Sequence, residues 1–236
     1  PPPPPPPPPP TIRSSSAASD VYKRQDFGIL GKAERDSGHE VRRFGEEMLF
    51  QDLKDRNTDA ILNSGAIKIV TADPHAYNAL KKDYRDIPPV EHISQTILQN
   101  VKSGKIRLKP VEDSSKTYVY HDPCYLGRHN SLYDDPRAAI DAVPGLNRIE
   151  MEGNCRDRSF CCGGGGLMLF YEPEEDQRMG VLRVEMAKNA GADVIVTACP
   201  FCLVNIEDAI KVAGLEGEME VIDLAELIEK HLVPRT

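Results

Sequence analysis

Cys161 and Cys162 are adjacent and run straight into Gly163, Gly164, Gly165 and Gly166. Upstream stands the run His121, Asp122, Pro123, Cys124, and downstream Cys199, Pro200, Phe201, Cys202. Thirty-six residues separate Cys124 from Cys161, and thirty-six separate Cys162 from Cys199. Thiolates are soft ligands that suit iron and zinc. One zinc ion is satisfied by four tetrahedral ligands, whereas here five thiols are arrayed and two are neighbours. Adjacent side chains reach a single compact ion awkwardly and suit a larger body with several metal atoms. The residues therefore read as an iron–sulfur site with Cys124, Cys161, Cys162, Cys199 and Cys202 as ligands. Gly163 and Gly164 would let backbone N–H groups approach the cluster sulfurs without a Cβ in the way. A helix starting at the Cys199 motif would favour the deprotonated thiols. Two alternatives stay open: a structural zinc module that binds a partner, and a metal-free dithiol formed by Cys199 and Cys202. Cys155 falls outside the pattern and reads as a free thiol. His121 and Asp122 either orient the Cys124 loop, lie near a substrate, or only end a strand. His75 reads as a turn residue. The glycine run does not fit a dinucleotide fingerprint, because Met168 stands where the third glycine would be.

Composition narrows the field. Charged residues make up 28% of the 236, and the formal net charge is −8. A phosphate backbone wants a basic face, so nucleic acid is not an expected partner. The longest apolar run, over residues 194–204, is far too short to cross a bilayer. No basic stretch followed by an apolar one marks a secretory signal. Six cysteines in this length are sparse for a disulfide scaffold. A reducing, cytoplasmic compartment is expected.

The elements that must position these thiols alternate between strand and helix. Residues 1–25 hold a run of ten prolines and a polar tail with no apolar period. They read as non-native, adapter-like sequence without a fold, so the natural chain is expected to begin near Asp26, within a longer protein. Helices are expected at 44–62, where Met48, Leu49, Leu53, Ala60 and Ile61 are helically spaced, and from about 75 to 82, 90–101, 135–143, 174–190, 201–212 and 224–232. Strands are expected at 67–71, 116–120, 147–151, 192–198 and 220–222. Asp223 and Glu226 form a candidate capping box for the last helix. Alternation of this kind predicts an α/β fold with mainly parallel sheets and helices on both faces. In such sheets ligands sit beyond the carboxyl ends of strands, and Cys124 and Cys199 each follow a predicted strand.

The chain also repeats itself. Residues 69–76 (IVTADPHA) align with residues 195–202 (IVTACPFC), and Gly65-Ala66 aligns with Gly191-Ala192 in the same register. One residue out of that register, Asp36, Ser37 and Gly38 align with Cys161, Cys162 and Gly163. Two tandem Rossmann-like repeats are expected: a degenerate, N-terminally truncated copy over 26–112 and a cluster-binding copy over 113–236. In the first copy Asp36, Ser37, Asp73 and Ala76 stand where the second has thiols, so it is expected to hold no cluster.

The stretches HDPCYLGR, SFCCGGGG and TACPFC resemble the cysteine-rich CCG domain family over about residues 26–236. That family includes subunits of the heterodisulfide reductases and the iron–sulfur oxidoreductases associated with electron-transfer flavoprotein. The resemblance implies an oxidoreductase holding one [4Fe-4S]-type cluster, of noncubane form in heterodisulfide reductase, on Cys124, Cys161, Cys162, Cys199 and Cys202. It implies electron transfer between a flavoprotein, such as an electron-transfer flavoprotein or another redox subunit, and a quinone or disulfide acceptor. It also implies an upstream ferredoxin-type domain in the full-length protein. Upstream segments of that kind would hold the chain at the inner face of a membrane.

Overall fold

The computed structural model describes residues 27–171 and 178–233. The expectation for residues 1–25 lies outside them, as does the 174–177 part of the helix expected at 174–190. Two parallel sheets organise the described chain. The first half contributes helices α1 (His39–Arg43) and α2 (Glu47–Asn63), strand β1 (Ile69–Thr71), helix α3 (Pro74–Lys82), strand β2 (Val90–His92) and helix α4 (Ile93–Lys102). The second half contributes β3 (Thr117–His121), α5 (Asp134–Asp141), β4 (Asn147–Ile149), α6 (Met179–Asn189), β5 (Val194–Thr197), α7 (Pro200–Val212), β6 (Glu220–Asp223) and α8 (Leu224–Lys230).

β1 and β2 form a two-stranded sheet, and the second sheet has the order β4-β3-β5-β6. Every pairing within these sheets is parallel, with Tyr118 opposite Val194 and His121 opposite Thr197. β5 is buried along its whole length, as expected of a parallel strand covered on both faces. Side-chain alternation divides the core accordingly. Tyr118, Tyr120, Val194 and Val196 face a cluster that includes Ile140 of α5, Leu227 and Ile228 of α8, and Ile93 and Ile97 of α4. Val119 and Ile195 face Val184 and Ala187 of α6 and Ile206 and Ala209 of α7. The fold is therefore α/β with helices on both faces of the larger sheet.

Several local expectations needed correction. Residues 90–92 are not the first turn of a helix but strand β2, hydrogen-bonded beside β1. His92 then caps α4, its ring nitrogen accepting from the Ser94 N–H while the Gln95 side chain accepts from the His92 N–H. The apolar spacing on α2 is misleading, because Met48 is 84% exposed and Leu49 48%, while Phe50, Asn57 and Ile61 are the residues it buries. α1 has no counterpart among the expected elements. Asp223 does cap α8 through the Ala225 N–H.

Candidate metal centre

Three neighbouring strands deliver the cysteines to one rim. β3 and β5 run parallel and side by side, so their carboxyl ends lie together. Two residues separate the end of β3 from Cys124, and one separates the end of β5 from Cys199, which is the N-cap of α7. The loop after β4, on the other side of β3, carries Cys161 and Cys162. Pro200 at the first turn of α7 supplies the fixed φ that starts a helix there, which leaves Cys202 one turn in.

All six cysteines are free thiols. The five of the pattern form one connected set: Cys162 lies 3.3 Å from Cys202, and thiol hydrogen bonding links Cys124 to Cys161, Cys161 to Cys162 and Cys202 to Cys199. Cys162, Cys199 and Cys202 are buried, whereas Cys124 and Cys161 are partly open to solvent. Cys155 lies apart, beside Glu150 and Arg137. S–H groups of Cys124 and Cys162 donate to the Cys161 sulfur and, with the Gly163 N–H, hold its pKa far below the ordinary thiol range. Cys124 and Cys202 are pushed up by the thiol hydrogen bonds and by burial, and Cys162 rises to about 12, chiefly through Cys161. A soft cation entering the site would displace the thiol protons.

The Gly163 N–H donates to the Cys161 sulfur at 3.3 Å, and the Gly164 N–H to the Cys162 sulfur at 3.4 Å. Gly163 has a φ of +91°, and a Cβ there would lie 3.0 Å from the Met179 Cβ. The Asn205 amide, on α7, donates to the Cys162 carbonyl and ties the loop to the helix that carries Cys202.

Asp122 anchors the Cys124 loop. Both its oxygens accept from Arg137, at 2.6 and 2.8 Å, and one also accepts from the Arg156 N–H. Arg137 continues to Glu150, which the guanidinium holds down at about 2 against the effect of burial. His121 is fully buried, and one of its ring nitrogens lies within 4.8 Å of the Cys162 and Cys202 sulfurs. Arg183 of α6 donates to His121 Nδ1 at 2.9 Å. Burial, followed by the Arg183 charge, pulls the His121 pKa down to about 3, so the ring is neutral at pH 7.

The first half reaches the same rim with residues that the sequence did not mark. His75 is not a simple turn residue: it is buried, with Nδ1 2.8 Å from Glu40 Oε1, and its ring packs on Phe201, Tyr125 and His39. A Cβ on Gly165 would lie 3.7 Å from the His75 ring, and the Gly166 N–H is among the groups that lower the Glu40 pKa. Burial raises the Glu40 pKa, but the His75 hydrogen bond and charge more than offset this. His39 falls to about 4 through burial and the facing His75. These three side chains cover the glycine loop from the side of α1 and α3. Asp73, aligned with Cys199, caps α3 through the His75 and Ala76 N–H groups, so a carboxylate performs a backbone task where the second half has a thiol.

Comparison with known proteins agrees with this geometry. Residues 118–207 match the CCG cysteine-rich domain. The chain is 39% identical over 210 residues to a Bacillus subtilis protein named a probable iron-sulfur-binding oxidoreductase, covering 88% of this chain and 29% of that protein. It is 37% identical over 216 residues to a Syntrophomonas wolfei protein named EtfAB:quinone oxidoreductase, covering 87% and 30%. It is 33% identical over 218 residues to a polypeptide of the dihydromethanophenazine:CoB–CoM heterodisulfide reductase of Methanosarcina barkeri, covering 87% and 51%. The chain thus spans about a third to a half of the length of these relatives. Its similarity to the CCG cysteine-rich domain family lies over residues 118–207.

Proposed function

We propose that this chain is the cluster-bearing part of an iron–sulfur oxidoreductase, with Cys124, Cys161, Cys162, Cys199 and Cys202 holding one [4Fe-4S]-type cluster. The observation that carries this reading is the unbroken chain of sulfur contacts through all five thiols, backed by two glycine N–H donors. A bound cluster would accept and release one electron at a time. The chain's own residues hold the thiols at one rim, donate N–H groups to their sulfurs, and leave the Cys124–Cys161 side partly open. A partner would approach there. The names of the relatives support a flavoprotein of the electron-transfer type as donor or acceptor, with a quinone or a disulfide on the other side. We assign residues 26–112 to a degenerate first repeat that serves as a packing partner, and residues 113–236 to the cluster-binding repeat. An upstream ferredoxin-type domain and a cytoplasmic site, at the inner membrane face, belong to the same reading. Among the described residues no helix is long and apolar enough to cross a membrane.

A second reading has one observation in its favour. His121, Cys162 and Cys202 offer three donor atoms within 4.8 Å of one another, as a single zinc ion would want. Anaerobic reconstitution with iron and sulfide separates the two. The cluster reading predicts a brown chain with iron and acid-labile sulfide in equal amounts, and loss of both when Cys161 and Cys162 are changed to Ser. Zinc without sulfide in chain purified anaerobically, and no colour after reconstitution, would sink it.

A further inference from the structure

Arg183 is fully buried. Its partners are His121 Nδ1 at 2.9 Å, the Asn154 carbonyl at 2.9 Å and the Met186 sulfur at 3.9 Å. None carries a negative charge, and Nη2 has no partner among the described residues. Asp122 lies close enough to favour the charged form, but both its oxygens are taken by Arg137 and the Arg156 N–H. A buried charge without a paired counter-ion is strongly disfavoured, so this side chain needs an anion nearby. Although burial draws the Arg183 pKa down to about 10, the side chain stays protonated at pH 7. His121, within 4.8 Å of the Cys162 and Cys202 sulfurs, stands between this charge and the thiols.

His121 links the two. A guanidinium only donates, so His121 Nδ1 is the acceptor, and the neutral ring must carry its proton on Nε2. The Nδ1 lone pair is committed to Arg183, and Nε2 has none to offer. His121 is therefore placed as a neighbour of the thiols, within 4.8 Å of the Cys162 and Cys202 sulfurs, rather than as a metal ligand, which weakens the zinc reading.

We propose that Arg183 is the resident counter-charge of the cysteine site, a positioning residue that fixes the His121 tautomer and raises the reduction potential of the cluster held there. This rests on the cluster reading above. Reduction adds one negative charge to the site, and a fixed cation in a dry interior favours the reduced form. The electron comes from the electrode in the test below, and no proton movement is required.

The test is a spectroelectrochemical titration of the reconstituted full chain, with iron and sulfide measured on each sample. Arg183→Gln removes the charge and keeps an amide donor; Arg183→Lys keeps the charge and removes the guanidinium fork. With iron content equal to wild type, R183Q should shift the reduced-to-oxidised ratio at least tenfold towards oxidised, about 59 mV for one electron. R183K should stay within about threefold of wild type, roughly half that shift. Equal iron and an unchanged potential in R183Q would overturn the role of Arg183 and leave the cluster reading standing. A wild-type chain that takes up no iron would overturn both. Should R183Q fail to fold, R183K decides alone: a shift beyond threefold refutes the charge argument, and a smaller one supports it.

Discussion

Gly163 combines two constraints that a side chain would violate separately. Its φ of +91° lies where L-residues are strained, and its missing Cβ would sit 3.0 Å from the Met179 Cβ, an atom fixed to the α6 backbone. Gly166 shares the first constraint, at +64°, but has open space around it. Gly166→Ala should therefore cost about 1 kcal/mol of stability, and Gly163→Ala about 2–4 kcal/mol, since strain and overpacking then add. Urea unfolding of the metal-free variants measures both. Equal losses would mean that the Met179 contact is harmless. Gly163→Ala should also reduce iron uptake, because its N–H points at the Cys161 sulfur. At this scale the cysteines and glycines were legible because few ordinary roles call for adjacent thiols followed by four glycines. Arg183 was not. It lies in the run Val181, Leu182, Arg183, Val184, where an arginine reads as a solvated position, and only the packing of α6 against β3 and α7 buries it. His39, Glu40 and His75 were hidden for a similar reason: each is ordinary alone, and their juxtaposition exists only after two helices meet.

At the scale of elements, the junction of β2 and α4 shows where periodicity fails. Val90-Glu91-His92 continues smoothly into the apolar spacing of the helix, so the sequence reads as one helix from residue 90. Pairing with β1, which no local pattern records, makes those three residues a strand and turns His92 into the cap. His92 is fully buried, its Nδ1 accepts from the Ser94 N–H, and burial lowers its pKa to about 4 from the usual 6.5. Between those values the unfolded chain binds more protons than the folded one, so stability rises with pH. The contribution is fully present above pH 6.5 and is lost as the pH falls towards 4. The loss from this residue is on the order of 3 kcal/mol. His92→Gln keeps a side-chain acceptor but does not titrate, so it should flatten the slope of unfolding free energy between pH 6.5 and 4. A slope equal to that of wild type would show that His92 remains solvated enough to protonate in place. β5 and α7, by contrast, were readable almost to the residue. Val194–Thr197 is buried on both faces, and Pro200 marks the helix start.

At the scale of the whole molecule, the alignment of residues 69–76 with 195–202 suggested two units, and the order of elements agrees, since β1-α3-β2 and β5-α7-β6 each place two parallel strands around a helix that opens on proline. The packing is less modular than the repeat. Ile93 and Ile97 of α4 and Tyr77 of α3 share one buried cluster with Val194 and Val196 of β5, Ile140 of α5 and Leu227 of α8. The first half also places His75 against Phe201 and Gly165 at the thiol rim. A continuous core of this kind predicts that the halves unfold together. Ile97 is fully buried at that junction, so Ile97→Ala should cost about 2–5 kcal/mol, as other large-to-small changes in cores do. The informative readout is where the loss is felt. Native-state hydrogen exchange should show the slowest amides of β1 and α3 and those of β5 and α7 accelerating by the same factor, because one opening exposes both. Acceleration confined to β1 and α3 would mean that the second half stands on its own. In that case the first half would act at the thiol rim only as a lid held by His75 and Glu40, and Gly165→Val, which crowds the His75 ring, would then detach it without unfolding the cysteine site.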